Sequence, residues 1–115
     1  MQGVWRWLVP LAVAAHAIGM IGGVYFVFTT KSWLLGTGMP ARVLVALLWV
    51  VSGVLLLAAA WGFYTQTAWW PTTALVGAPL SFLGIVLWAG AIPPGTYVGA
   101  ALDVAIVVYV LMVGK

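Results

Sequence analysis

The chain has 115 residues, of which 66% are hydrophobic and 4% charged, with a mean hydropathy of +1.24. A soluble domain needs a polar skin made of roughly a quarter charged residues, so a water-soluble fold is excluded. Four basic residues against one acid give a net charge of +3, and their dispersal along the chain excludes a nucleic-acid surface; the lack of cysteine excludes disulfides, thiolate metal ligands and cysteine nucleophiles.

In lipid only helices or a closed barrel satisfy every backbone polar group. Barrel strands alternate apolar and polar residues, whereas here the apolar runs are continuous, so helices are predicted. The first span runs from Val4 to about Thr29. Trp5 and Arg6 form an aromatic and basic entry at one interface, and Pro10 lies early enough in the helix to do little damage. Arg6, the apolar run and Ala15-His16-Ala17 also imitate a secretory signal peptide, but the run continues to Phe28, which favours a retained span. Gly36 and Gly38 then break the chain, and Pro40 opens a second span to about Tyr64. Pro71 opens a third, ending near Trp88, with Pro79 expected to kink it and free the carbonyl near Leu75. A Pro-Pro-Gly link leads into the fourth span, residues 94–114.

Runs of this length suit a hydrocarbon core about 30 Å thick at about 1.5 Å per residue. The expected fold is an all-α membrane protein, a single antiparallel four-transmembrane-helix bundle over residues 1–115. Both termini then share one side with Arg6 and Lys115, while Lys31 and Arg42 lie on the other, all four as headgroup anchors. The N-terminal amine and the uncharged later links favour cytoplasmic termini, in a bacterial cytoplasmic membrane.

Asp103 is the only acid and His16 the only histidine. Each falls near the middle of a span, where a charge costs about 2.5–3.5 kcal/mol on insertion scales and should face protein with a partner. Ser52 and Ser81 lie at the same depth, so one polar side chain per helix is expected at the midplane. Pairing His16 with Asp103 across antiparallel helices sets Gly19 opposite Ala100 and Gly23 opposite Thr96. Gly19-x-x-x-Gly23 and Gly95-x-x-x-Gly99 carry the small-residue spacing for close helix approach, which predicts a tight seam between the first and fourth spans. The two serines either join the centre or bond their own backbones. Trp49 and Trp88 either line a cavity or pack, and Tyr109 either bonds into the core or anchors at the interface.

Three families share short stretches with this chain. Ala12-x-x-x-His16 resembles the spacing by which light-harvesting polypeptides ligate bacteriochlorophyll. Leu11 to Gly19 is similar to the first helix of small multidrug resistance exporters, with His16 where that family has a glutamate and the acid here moved to the fourth span. Pro40-Ala41-Arg42-Val43-Leu44 through Ser52-Gly53 resembles the Arg-opening helix of DoxX-like four-helix bacterial membrane proteins, which implies a bundle, sometimes attached to redox complexes.

The expected function is binding of a lipophilic small molecule (a quinone, carotenoid, sterol or lipid) or service as an accessory membrane subunit, alone, as a homo-oligomer or in a larger complex. His16, Asp103, Ser52, Ser81, Trp49 and Tyr109 are the candidate ligand- or proton-binding residues, and Gly19, Gly23, Gly95 and Gly99 the packing residues. No metal set, catalytic residue or particular cofactor is indicated, and one histidine cannot make bis-histidine haem. The alternatives are a proton-coupled transporter, and an enzyme using His16 and Asp103 as base and acid on a lipophilic substrate.

Overall fold

The computed structural model describes residues 2–30, 38–88 and 95–113, leaving aside the side chains at 2, 3, 5, 6, 95 and 113. Lys31, Gly36, the prolines of the Pro-Pro-Gly link, Lys115 and the side chains of Trp5, Arg6 and Gly95 therefore lie outside the described residues. The fold is all-α: α1 (Gln2–Gly22), α2 (Val24–Thr29), α3 (Met39–Thr65), α4 (Trp70–Leu87) and α5 (Gly95–Val113). Trp7–Thr29, Met39–Thr65 and Trp70–Leu87 are long and apolar enough to cross a membrane, the mark of an integral membrane protein. The helix α5 has 19 residues and extends about 28 Å, close to a hydrocarbon thickness of about 30 Å; its described apolar stretch is Thr96–Met112. Leu11, Ile18, Trp61, Val98 and Met112 point outward and are more than half exposed. Such a surface suits lipid and not water.

Contacts at matching depths show the up-down course. Gly53 lies against Ala17 and Ile21, and Gly23 against Trp49, so α1 and α3 run antiparallel. Gly77 meets Leu55 and Leu56, while Gly84 meets Leu48 and Trp49, which reverses α4 on α3. Ser81 bonds Asp103, and Ala74 packs with Val110, reversing α5 on α4. Ala74, Gly77, Ala78, Ser81 and Gly84 are all buried and share one face of α4. This stripe of small residues lets α4 sit deep between its neighbours.

The predicted first span holds as Trp7–Thr29, with Gly23 as a turn residue between α1 and α2 that keeps right-handed helical dihedrals and bonds the Gly19 carbonyl at 2.8 Å. Trp49 requires the glycine: a Cβ on Gly23 would come within 2.5 Å of the indole and 2.9 Å of the Gly19 carbonyl oxygen. Only a residue without a side chain fits there. The opposite edge of the same indole faces Gly84, where a Cβ would lie 2.8 Å from Trp49 Cδ1. Trp49 thus fills the space between α1 and α4 and anchors a core cluster with Met20, Val27, Val45, Ile85 and Trp88.

The predicted turn between the second and third spans is tight. Gln66 takes a left-handed conformation (φ 59°), and Thr67 N–H closes back on the Gly62 carbonyl at 2.9 Å, which satisfies the last carbonyls of α3. The assigned α4 runs without interruption through Pro79.

Arg42, expected as a headgroup anchor, is half-buried and bonds the neighbouring helix. Its Nη1 donates to the Val27 carbonyl at 2.8 Å, and its guanidinium lies 5.7 Å from the centre of the Trp88 ring. Trp88 Nε1 in turn donates to Thr30 Oγ1 at 2.9 Å. The cause is local: the carbonyls at a helix C-terminus carry partial negative charge, which a nearby cation satisfies.

Candidate functional site

Near the middle of the bundle three helices deliver one polar side chain each. His16 Nε2 of α1 lies 2.7 Å from Asp103 Oδ1 of α5. Ser81 of α4 donates its hydroxyl to Asp103 Oδ2 at 2.7 Å, and its oxygen lies 3.3 Å from His16 Nε2. Asp103 is 1% exposed, Ser81 fully buried and His16 9% exposed. Both carboxyl oxygens thus have a partner, as a buried acid in an apolar medium requires. At a separation near 4 Å and an effective dielectric of 20, opposite charges attract by about 4 kcal/mol, enough to offset an insertion cost of about 3 kcal/mol. The cluster can hold a proton between Nε2 and Oδ1 at mid-membrane depth.

Ser52 does not join it. Though fully buried, it donates to the Trp49 carbonyl three residues back, at 3.2 Å, which is the local bonding open to a helical serine. The expected four-membered layer is therefore a three-membered centre. Trp49 is 1% exposed, and its Nε1 is the one fully buried side-chain nitrogen or oxygen without a partner among the described residues. Tyr109 is half-buried, its ring 6.0 Å from that of Phe63 and 6.5 Å from that of Trp70.

The predicted tight seam between the first and fourth spans is not formed. The helices α1 and α5 touch sparsely, whereas α1 with α3, α3 with α4, and α4 with α5 pack closely. Gly19 is exposed, and a Cβ there would meet nothing within 4 Å. Gly23 packs on Trp49 and not opposite Thr96. Gly99 does approach α1, but it receives the His16 ring and not a backbone: its Cβ would lie 3.1 Å from His16 Cε1 and 3.0 Å from Ile85 Cδ1. Two causes act together. The small faces of α3 and α4 draw those helices close, and the His16–Asp103 bond holds α1 and α5 apart by the length of two side chains.

What remains is a lateral opening. A cavity of about 230 Å³ lies on one side of His16, lined by Val13, Phe63, Trp70, Ile106 and Tyr109 among others. A wider groove of about 620 Å³ lies on its other side, between Gly19 and Met20 of α1 and Thr96 and Gly99 of α5. His16 and Ala12 border both. A third groove of about 410 Å³, between α4 and α5 beside Pro79 and Phe82, reaches Asp103 from the opposite side. These walls are almost wholly apolar and suit a lipophilic body with one polar group. No group of three metal-ligating side chains occurs among the described residues.

Reading the sequence for depth found His16, Asp103 and Ser81 but missed the aromatic and small residues that shape the space around them. Ala74, Gly77, Ala78, Ser81 and Gly84 recur at helical spacing, and that pattern marks the packed face of α4. Phe63 and Trp70, both lining the cavity, carry no comparable sign, because aromatic residues near span ends equally suit an interface. Comparison with protein-family models, curated proteins and solved structures gives no match for this chain.

Proposed function

We propose that this small integral membrane protein binds a lipophilic small molecule in the seam between α1 and α5, with the His16–Asp103–Ser81 centre as its polar contact. The observation that carries this reading is the position of His16: its ring borders both apolar spaces of the seam, so the centre is approached sideways from lipid. A quinone, carotenoid, sterol or lipid tail has the required apolar body. The resemblance of Pro40 to Gly53 to DoxX-like proteins fits a bacterial membrane and an accessory role in a larger complex, and the N-terminal amine with the uncharged later links fits cytoplasmic termini. The test is extraction of protein purified in mild detergent, followed by mass spectrometry. The expected result is one lipophile enriched over bulk lipid and lost in Ala12→Trp, which fills both spaces beside His16. Equal lipid content in the two proteins overturns the reading.

A second reading, proton-coupled transport, is favoured by one observation. His16 borders the α1/α5 seam while Asp103 borders the groove between α4 and α5, so the pair is approached from two sides. Its test is proton release from purified protein when a lipophilic cation is added, abolished in Asp103→Asn; no release counts against it.

A further inference from the structure

We propose that the cavity of about 230 Å³ beside His16 is a site for an aromatic ring, so that the lipophile of the α1/α5 seam has an aromatic head and an apolar tail. The proposal rests on the lipophile-binding reading and adds the chemical class of the ligand's head.

Three rings from three helices cluster beside this cavity. Phe63 near the end of α3, Trp70 at the start of α4 and Tyr109 near the end of α5 all line it. The Phe63 ring stands edge-on to Trp70 at 4.9 Å and to Tyr109 at 6.0 Å, and Trp70 lies 6.5 Å from Tyr109. Aromatic rings have electron-rich faces and electron-poor edges, and they favour offset or edge-on neighbours with centroids about 4.5–7 Å apart. A further ring beside this cluster finds faces and edges to pair with. A saturated ring of the same size gains burial alone.

The space fits such a head in size, polarity and access. An engineered apolar cavity of about 150 Å³ holds benzene, so one of about 230 Å³ takes a ring with the first carbons of a tail. Among the described residues lining it, only His16, Trp70 and Tyr109 carry a polar side-chain atom. The chain's one acid, Asp103, does not border it, so a neutral ring suits it better than an organic cation. Ala12 of α1 and Ala105 of α5 both line the cavity and are both exposed, and their short side chains leave its mouth open to lipid. Ala12, His16 and Leu102 border this cavity and the wider groove alike. A tail can therefore leave the ring over Ala12 and lie in the groove.

The full chain, with its isoleucine δ1 methyls labelled and placed in phosphatidylcholine nanodiscs, is equilibrated with hexylbenzene and with hexylcyclohexane. The two probes share a tail and differ only in the ring. Gas chromatography of the bound fraction, set against empty nanodiscs, corrects for partitioning into lipid. Ile106 lines the cavity and Ile85 the groove, so nuclear Overhauser contacts from the phenyl protons locate the ring.

The expected result is hexylbenzene binding roughly threefold to tenfold tighter than hexylcyclohexane, with phenyl contacts to Ile106 and tail contacts to Ile85. Tyr109→Leu should bring the ratio of the two affinities towards one, and Tyr109→Phe, which keeps the ring, should preserve it. A fall in both affinities together in Tyr109→Leu counts against ring pairing. Equal binding of the two probes by the parent, or phenyl contacts to Ile85 in place of Ile106, overturns the aromatic site and leaves lipophile binding standing. Failure of both probes to bind above empty nanodiscs overturns the seam-binding reading itself, and the proposal with it.

Discussion

His16 occupies the space that Gly99 leaves empty: a Cβ on Gly99 would lie 3.1 Å from His16 Cε1, and beyond the ring Nε2 holds Asp103 at 2.7 Å. A large side chain at this position must push the imidazole away from its partner. Gly99→Leu should lower stability by about 1–3 kcal/mol through overpacking, while Gly99→Ala, whose tightest contact is the mobile end of Ile85, should cost less. Thermal unfolding in detergent checks both. Parental melting of Gly99→Leu would show that the ring and α5 are not in contact.

The two buried serines should behave differently. Ser81→Ala strips Asp103 Oδ2 of its donor and should cost about 1–3 kcal/mol, the usual penalty for an orphaned buried acceptor. Ser52 bonds only a carbonyl of its own helix, so Ser52→Ala should stay within about 0.5 kcal/mol of the parent. Equal effects of the two substitutions would place Ser52 in the centre after all.

Gly19 and Gly23 test where α1 makes its close approach. A Cβ on Gly23 collides with the Trp49 ring and with the Gly19 carbonyl oxygen, whereas one on Gly19 meets open space. Gly23→Ala should destabilise by about 1–3 kcal/mol. Gly19→Ala should be neutral or stabilise by up to about 1 kcal/mol, from helix propensity alone. Chemical denaturation of the two variants side by side decides the matter; a larger loss at Gly19 would restore a tight seam between α1 and α5.

Arg42 clasps the end of α2 through the Val27 carbonyl and lies over Trp88. Arg42→Leu should lose a charge-assisted hydrogen bond of about 1.5–3 kcal/mol and a cation–π contact of about 0.5–1 kcal/mol. Arg42→Lys should recover only part of the loss, because an ammonium does not stack as a planar guanidinium does. Melting temperatures would show the order parent, Lys, Leu. If Lys matched the parent, Arg42 would be acting as a simple charge at the headgroups.

Much of the centre was legible along the chain because the cost of placing a polar group in lipid depends on depth, and depth can be counted in residues. His16, Ser81 and Asp103 lie near the middle of their runs, and the antiparallel pairing of His16 with Asp103 follows from that count. Ser52 satisfies the same count and still falls outside the cluster. Depth does not say which way a helix is turned about its axis, and rotation decides whether a serine reaches a neighbour or its own backbone. The spacing of Gly19 and Gly23 likewise identified a small face without identifying what would press on it. Trp49 pressed on Gly23, and nothing reached Gly19.

Composition and the length of the apolar runs were enough to establish helices in lipid, their approximate limits and the need for a partner to Asp103. Each of these follows from transfer and backbone costs summed locally along the chain. The open seam and the reach of Arg42 to α2 were settled only in three dimensions. They depend on how large and small side chains from different helices fit together, with the Trp49 indole between Gly23 and Gly84 setting the spacing. Shape complementarity between distant segments leaves no local trace in hydropathy.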